Sequence, residues 1–335
     1  MWQAEYRSCI LKLMVGVVLA SLACVAAAQP TSTGSGQAYP SKAMRVIVPY
    51  GTGSATDALA RLIAQKMSDS VGQQVVVDNQ PGANGIPASA AVAKAPPDGY
   101  TLIMIAANHV VNASLYSKLP YDTLRDFKPI LRVAFAPFIL TVHPSLPVKN
   151  LGELIALAKA RPGELNYASP SNGSPAHLAT ELIKAQTGIS MTHIPYKAAA
   201  QAQADVIGGQ VPVMIIVAAA AIPQIKAGRL RALGVTTLER LAQIPEVPTI
   251  DQAGIKGFEV ISWIGFAGPA GFPPDIVAKL SGEITRIVQQ SENAERIKGL
   301  GLEISLMQSE PFAAYMAKEQ TRWGEVVRRA GARLD

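Results

Sequence analysis

Two stretches of the chain combine glycine, small polar residues and the start of an amphipathic segment. The first, VPYGTGSATDALAR at positions 48–61, follows a short apolar run, and its pattern predicts a strand, a glycine turn and a helix. Backbone N–H groups at such a helix N-terminus bind small anions, carboxylates included. The first stretch therefore predicts an anion-binding turn.

The same turn nearly fits the fingerprint of a dinucleotide-binding loop. Its G-x-G spacing is right, and Asp78 closes the next β-rich run, where an acid that binds a ribose would lie. However, Pro49 interrupts the end of the strand, Thr56 occupies the third glycine position, and Asp57 would place a carboxylate beside the pyrophosphate. These residues favour a small anion over a dinucleotide, and a purely structural tight turn stays open.

The second stretch, YASPSNGSPAHLATEL at positions 167–182, has the same pattern of a polar loop with a glycine followed by the start of a helix. Ser174 is a good N-cap and Pro175 suits the first helical turn. Four small or amide residues form a polar loop before them, namely Ser169, Ser171, Asn172 and Gly173. Two helix N-termini would then converge on one cleft, which suits a mono- or dicarboxylate without an arginine clamp.

The histidines of the chain are candidates for catalysis or metal binding by residue type. His177 follows Ser174 by three residues, but an i, i+3 pair on one helical turn rarely gives nucleophile–base geometry, and the chain has no G-x-S-x-G elbow. We expect His177 to pack, to cap or to contact a ligand. His109, His143 and His193 show no metal-ligand spacing. The sequence predicts no enzyme, no metal and no cofactor.

Short β-rich runs alternate with longer helical patterns, which favours a parallel sheet in an α/β fold. The first set has strands at MRVIVPY, QQVVVDN and YTLIMIA, helices at 55–70 and about 84–94, and then a long irregular stretch up to FILTVHP. The second set contains helices at 150–160, 175–187, 199–208 and about 219–227. The strand SWIGFAGP would return to the first set, before two final amphipathic helices at about 273–290 and 309–330.

Two crossings between these sets, near residues 139–144 and 260–266, would leave a cleft between two lobes. In open α/β sheets ligands bind outside the carboxyl ends of the strands. The loops that follow the strands are therefore expected to face the cleft.

The N-terminal region has the pattern of a targeting segment. In residues 1–28, Arg7 and Lys12 precede an apolar run and an A-x-A site for cleavage after Ala28, which predicts a secretory signal peptide and a periplasmic protein. Lipidation at Cys24 stays open. Residues 29–38 predict a flexible tether.

Export has consequences for chemistry and charge. Both cysteines, Cys9 and Cys24, lie in the leader, so the mature chain would have no thiol or disulfide chemistry. Loss of the leader lowers the formal net charge of +6 by one. No block of lysine and arginine with interleaved aromatic residues indicates nucleic-acid binding.

An ordered set of motifs covers about residues 39–330. They are VPYGTGSATDALAR, VDNQPGANG, PDGYTL, SNGSPAHLATEL, THIPYKA, DVIGGQV, AGRLRALGVT, PEVPTIDQAGIKGFE and WIGFAGPAG. Together they resemble the Bug-type extracytoplasmic receptors of tripartite tricarboxylate transporters.

The resemblance implies a two-lobed type II periplasmic-binding-protein fold, often called a Venus flytrap. Lobe 1 would comprise residues 39–140 and 264–335, and lobe 2 residues 141–263. Such a receptor, as a monomer, captures a small organic carboxylate and delivers it to a membrane permease with a large and a small subunit. A sensor that serves a two-component system would have the same sequence features, and an exported hydrolase is a weaker alternative.

The resemblance also implies which residues contact the ligand. In lobe 1 these are Gly53, Ser54, Ala55, Thr56, Asp57, Asn84, Ala107 and Asn108. In lobe 2 they are Ser169, Asn172, Gly173, Ser174, His177 and Asp205. Asp57 would repel an anion, so we expect it to bond loop N–H groups or a ligand amino group, or simply to cap the helix. Asp205 is expected to open or flank a helix, as a cap or as a contact.

Three positions depart from the family pattern. Ser54 replaces the second of two paired glycines, Ala198 replaces a glycine after Lys197, and Pro212 follows GGQV where an acidic residue is common. These changes suggest a pocket suited to a more apolar acid. The acid itself stays open among tricarboxylates, dicarboxylates, acidic amino acids and aromatic carboxylates.

Overall fold

The structure is a computed structural model that describes residues 39–331. The expected signal peptide (1–28) and tether (29–38) lie outside the described residues. Within the described residues, the chain from Lys42 to Gly331 belongs to one compact unit. Within the described part, no helix has the length and apolarity needed to cross a bilayer.

The described residues form ten strands and ten α-helices in mixed order. The strands are β1 (Met44–Val48), β2 (Val75–Asn79), β3 (Thr101–Ala106), β4 (Phe127–Val142), β5 (Asn166–Ser169), β6 (Thr192–Pro195), β7 (Val213–Val217), β8 (Arg231–Val235), β9 (Ile261–Pro269) and β10 (Glu303–Gln308). The helices are α1 (Ala55–Val71), α2 (Ile86–Ala93), α3 (Asn108–Leu115), α4 (Leu151–Ala160), α5 (Pro175–Thr187), α6 (Ala199–Ile207), α7 (Ala218–Lys226), α8 (Pro274–Val288), α9 (Ser291–Gly299) and α10 (Ser309–Ala330).

The strands form one sheet in the order β2-β1-β3-β9-β4-β7-β5-β6, with β8 and β10 also paired to β4. The β1–β2, β1–β3, β5–β6 and β5–β7 pairs are parallel, as the alternation of elements predicts. The centre is different, because every pair that involves β4 or β9 is antiparallel. The prediction of a parallel sheet is thus right for the two flanks and wrong for the strands that join them.

Strand β4 connects the two flanks. Its first part, as far as Pro137, pairs with β9, and from Phe138 onward it pairs with β7. The sequence predicts only the second part, because Pro129 and Pro137 break the strand pattern. The structure accommodates the first proline beside a shift of register between Pro129 and Leu131, and the second where the pairing with β9 ends.

Three further elements were not expected. Helix α3 lies in the stretch predicted to be irregular, where eight residues that include Asn108 and Asn112 give a weak helical signal. Helix α9 and strand β10 lie between the two predicted C-terminal helices. Strand β10 covers the open side of β4 between Leu131 and Phe135.

Helices α1 and α5 match their predicted bounds to within one residue, since both carry complete local signals. Each begins after a serine N-cap, Ser54 or Ser174, and each ends at a left-handed glycine, Gly72 or Gly188. Both N-termini follow strands of the parallel flanks, so both face the carboxyl edge of the sheet.

Candidate ligand-binding site

The turn before α1 folds back on its own helix. We call residues 50–57 the α1 loop. Gly53 has φ +83°, a conformation that favours glycine, and its N–H donates to Asp57 Oδ2 over 2.9 Å. The Asp57 N–H in turn donates to Ser54 Oγ over 3.2 Å. The loop is therefore closed by a serine cap and a carboxylate three residues into the helix.

Asp57 is buried, with 2% of its surface exposed. Asn79 Nδ2 donates to its Oδ1 over 2.8 Å, and Arg61 forms an ion pair with it at 3.0 Å. Burial alone would raise the pKa of Asp57, but the hydrogen bonds from Gly53, Asn79 and Arg61 outweigh burial and lower it. Asp57 thus stays ionised and bonds a loop N–H, as one of the expected roles requires.

The loop after β2, residues 80–85, is tied to α3. Asn84 has a left-handed backbone, with φ 53°, and its carbonyl accepts hydrogen bonds from Asn108 Nδ2 at 3.0 Å and Asn112 Nδ2 at 3.1 Å. Its own Nδ2 donates to Tyr116 Oη over 3.0 Å. Gly85 has no room for a side chain, because a Cβ there would lie 2.8 Å from Pro49 Cβ.

Ala107 and Asn108 do not lie in a loop, as the sequence suggested. Ala107 is the N-cap of α3 and Asn108 is its first residue, because the helix starts directly after β3. Tyr50 donates its hydroxyl to Asn108 Oδ1, and its carbonyl accepts from Asn79 Nδ2 at 3.2 Å. Tyr50 and Asn79 therefore link the predicted residues of lobe 1, and both were missed although each is polar and lies at a strand end.

The turn before α5 repeats the geometry of the α1 loop. We call residues 169–177 the α5 loop. Gly173 has φ +71°, and its N–H donates to His177 Nδ1 over 3.0 Å. The His177 N–H donates to Ser174 Oγ over 3.3 Å, as the predicted cap requires. Ser174 Oγ also donates to Ser171 O over 2.8 Å.

Behind the α5 loop lies a stack of rings. His177 and His193 stack with centroids 4.0 Å apart, and Tyr167 stacks on His193 at 4.9 Å. His193 Nε2 lies 2.6 Å from Ser169 Oγ, which is buried. Burial is the main cause that lowers the pKa of His177 to about 4, and it also lowers the pKa of His193. Both rings are therefore neutral at neutral pH.

Helix α3 brings the two groups of predicted residues together. Its first residue, Asn108, contacts Asn84 and Tyr50, and its last residue, Leu115, lies against Gly173. A Cβ on Gly173 would lie 2.9 Å from Leu115 Cδ1. Eight helical residues span about 10 Å, so the two ends of α3 set the distance between the lobe 1 contacts and the α5 loop.

Asp205 neither opens a helix nor caps one. It lies in the last turn of α6, whose N-cap is Ala198. Its Oδ2 accepts the Tyr196 hydroxyl at 2.7 Å, and the Tyr196 N–H donates to Ser169 O over 2.9 Å. Asp205 lies inside α6 and not at its N-terminus, and it is connected to the α5 loop through Tyr196.

The hydrogen bonds decide which backbone donors face solvent. The N–H groups of Gly53, Gly173 and Ser174 bond within their own loops, and Pro175 has none. Among the described residues, the N–H groups of Ala55 and Thr56 at the start of α1, and those of Asn172 and Ala176 at the start of α5, make no hydrogen bond within the chain. These N–H groups are donors at the two helix N-termini that remain available to an anion.

A cavity of about 490 Å³ lies elsewhere in the molecule. It is lined by residues 237–242, by Phe135 and Glu259, and by residues 303–305 of β10. It shares no residue with the α1 loop or the α5 loop, and none of the predicted ligand-contact residues lines it.

Comparison with known proteins gives the family. Residues 59–332 match the family described as tripartite tricarboxylate transporter family receptor. Protein BugT of Bordetella pertussis is 36% identical over 302 residues, which cover 90% of this chain and 93% of BugT.

Two solved structures resemble the fold of this chain. R. palustris Rpa4515, solved with adipate, is 36% identical, with a TM-score of 0.73 over 88% of this chain and 98% of that chain. MatC (Rpa3494) from Rhodopseudomonas palustris, with bound malate, is 32% identical, with a TM-score of 0.70 over 86% and 100% of the two chains. The chain therefore belongs to the Bug-type receptors of the tripartite tricarboxylate transporter family, which are periplasmic solute-binding proteins and not enzymes.

Proposed function

We propose that this protein captures a small organic carboxylate between the α1 loop and the α5 loop and delivers it to a membrane transporter. The observation that carries the proposal is the pair of helix N-termini with matching caps and unbonded N–H groups, joined by α3. The adipate and malate bound by two relatives are ligands of the same chemical class.

The proposed binding mode uses partial charges instead of a formal cation. A helix N-terminus carries about half a positive charge, and hydrogen bonds to a carboxylate are about twice as strong as neutral ones. One end of the ligand would accept from the N–H groups of Ala55 and Thr56, and the other end from those of Asn172 and Ala176. Asp57 does not repel the anion strongly, because Arg61 balances its charge and Asn79 donates a hydrogen bond to it.

The proposed lobes are those expected from the sequence, 39–140 with 264–335 and 141–263. Two features support this division. Strand β4 changes partners between Pro137 and Phe138, and β9 begins at Ile261, so both connections between the flanks lie close together. A hinge at these two points would let the flanks close on a ligand and exclude water.

A binding experiment tests the receptor function. Residues 29–335 are refolded to remove ligand carried through purification, and melting temperatures are measured with adipate, malate, citrate, glutamate and benzoate. A ligand that binds only the folded state raises the melting temperature by mass action. Nicotinamide dinucleotides and ester substrates serve as controls.

We expect a saturable, one-to-one interaction with one group of carboxylates and no turnover. A shift with dinucleotides alone, or ester hydrolysis with no shift, would contradict the proposal. The transporter step is tested in the source bacterium, where deletion of this protein should abolish uptake of the radiolabelled ligand. Normal uptake with a lost transcriptional response to the ligand would instead indicate a sensor. Fractionation of the cells should place the mature chain in the periplasm.

A further inference from the structure

The α5 loop has a titratable ring at the position where the α1 loop has a carboxylate. In both loops the third residue of the helix accepts the N–H of the glycine before the serine cap. The acceptor is Asp57 Oδ2 in one loop and His177 Nδ1 in the other. A carboxylate keeps its acceptor at neutral pH, whereas a ring nitrogen loses its acceptor when it is protonated.

The hydrogen bond from Gly173 fixes the protonation state of His177. Because Nδ1 accepts the Gly173 N–H, the single proton of the neutral ring lies on Nε2. A second proton on Nδ1 would turn this nitrogen into a donor that faces the Gly173 N–H. The hydrogen bond between Gly173 and His177 would therefore break. The charged ring would also lie at the positive end of the α5 dipole. Protonation of the His177 ring therefore removes the hydrogen bond that ties Gly173 to α5.

The groups around the ring favour its neutral state. His177 is 5% exposed, and burial opposes its charge. His193, on β6, stacks on the ring and also disfavours a positive charge, as does Lys184 on α5 itself, whereas Glu181 favours it. Tyr167, on β5, faces the ring without charge and donates its hydroxyl to Glu181.

Two other elements pack against α5. Strand β7 has the sequence VMIIV and no titratable side chain. Helix α10 places its charges at the far end of α5, where Arg322, Glu325 and Arg329 line a cavity together with Leu182 and Gln186. The described groups that face the ring are thus His193, Tyr167, Glu181 and Lys184.

We propose that His177 is a positioning residue whose uncharged ring holds the α5 loop in its ligand-binding shape, and that one proton on this ring releases the loop and weakens carboxylate binding. We call the hydrogen bond from the Gly173 N–H to His177 Nδ1 the latch. Gly173 lies between Asn172 and the capping Ser174, so the latch orients the N–H groups of Asn172 and Ala176. The inference rests on the proposed function, because it concerns the same loop.

Two substitutions separate the latch from simple packing. His177→Asn places Oδ1 close to the position of Nδ1 and supplies an oxygen acceptor that does not titrate. His177→Leu fills a similar volume without an acceptor. We expect H177L to bind more weakly than H177N at pH 7. His143→Asn is the matched control, since His143 bonds Ser145 and lies outside both loops.

The first readout is the dissociation constant by calorimetry, with adipate and malate as probes, between pH 7 and pH 3.5. Each variant is measured with the same probe, so protonation of the probe cancels in the ratio of wild type to H177N. This ratio should rise about twofold at pH 4 and about fourfold at pH 3.5, because only the neutral ring is competent to bind. H143N should follow the wild type. A flat ratio, or tighter binding by wild type in acid, would overturn the latch.

The second readout needs no ligand. In protein labelled with ¹⁵N-glycine and ¹⁵N-histidine, the Gly173 amide should shift along the titration curve of the His177 ring, and the shift should be absent in H177N. A Gly173 signal that ignores the titration of the ring contradicts the latch. If neither probe binds at any pH, the proposed function fails for these acids while the Gly173 titration still decides the role of His177.

Discussion

The α1 loop and the α5 loop have almost the same backbone and quite different supports. Ser54 caps its helix with φ −66° and ψ 156°, and Ser174 with φ −64° and ψ 153°. Behind Ser54 lies an ionised carboxylate held by Asn79 and Arg61, whereas behind Ser174 lies a neutral imidazole stacked on His193.

The shape of such a turn therefore depends on whether the third residue of the helix supplies a hydrogen-bond acceptor. It does not depend on whether that residue is charged. The N–H of each capping serine is already bonded within its loop, Ser54 to Gly51 O and Ser174 to Ser171 O, so the acceptor at the third helical position takes the N–H of the preceding glycine instead of completing a capping box. Charge then decides how strongly the turn is held and at which pH it opens.

The largest expected effect is the one that follows from removing the Asp57 carboxylate, which supports the α1 loop. Asp57→Ala removes the acceptor of the Gly53 N–H and of Asn79, and it leaves Arg61 with only its hydrogen bond to Asn79, so it should lower the free energy of unfolding by about 3 kcal/mol. His177→Leu removes one neutral hydrogen bond and should cost about 1 kcal/mol. Urea unfolding measures both. Equal losses for the two variants would contradict the comparison, and Asp57→Asn, which keeps one oxygen acceptor, should fall between them.

The second effect is a difference in pH dependence. The folded pKa of His177 lies below its ordinary value of 6.5, at about 4, so the unfolded chain binds the proton first and stability falls as the pH drops from 6.5 to 4. The contribution of His177 should be on the order of 3 kcal/mol. It is measured as the stability of wild type minus that of H177N, which removes the effects of other histidines.

Asp57 gives the contrasting pH window. Its pKa is lowered from 3.8, so its contribution is complete above pH 3.8 and is lost only as the pH falls further, through the folded value. The stability of wild type minus that of D57N should therefore be constant between pH 6.5 and 4. A change of this difference with pH between 6.5 and 4 would contradict the assignment of Asp57 and His177 as the residues that support the two loops.

The third effect concerns the donors. Ala55→Pro removes one N–H from α1 at a position that tolerates proline, so the affinity for the bound carboxylate should fall about tenfold with little change in melting temperature. Pro175→Ala is the converse change and should raise the affinity about threefold. Calorimetry measures both variants. Unchanged affinity in A55P would remove Ala55 from the site.

The smallest effect compares the two glycines. An alanine at either position adopts a strained left-handed backbone, at a cost of about 1 kcal/mol. Gly173→Ala must also displace Leu115, whereas Gly53→Ala meets no atom within 4 Å. G173A should therefore destabilise the protein by about 1 kcal/mol more than G53A. Equal costs in thermal unfolding would show that Leu115 yields freely.

The sequence predicts best what local signals determine. Helices α1 and α5 follow from a serine cap at one end and a glycine at the other, and their loops follow from the same residues. The role of Asp57 as an acceptor of a loop N–H could also be predicted from its position. The contacts of Tyr50 and Asn79 were within reach, because polar residues at the ends of parallel strands meet at one edge of the sheet.

Other parts depend on contacts between distant residues, and the sequence pattern does not carry them. The first half of β4 contains two prolines and is a strand only because β9 and β10 lie on either side of it. His177 and His193 are on different elements, so neither residue type nor spacing predicts that their rings stack. The same holds for Leu115, whose contact with Gly173 connects two groups of residues far apart in the chain.

The pairing of β3 with β9 has a consequence for how the molecule is made. Strand β3 ends at Ala106, and its partner begins only at Ile261, so the growing polypeptide must be extended by roughly 150 residues before this edge can close. A fragment released before Ile261 would leave the edges of β3 and the first half of β4 exposed to pairing with other chains. Synthesis errors near the C-terminus should therefore yield aggregates rather than a functional half-molecule, and quality control has to act on nearly complete products.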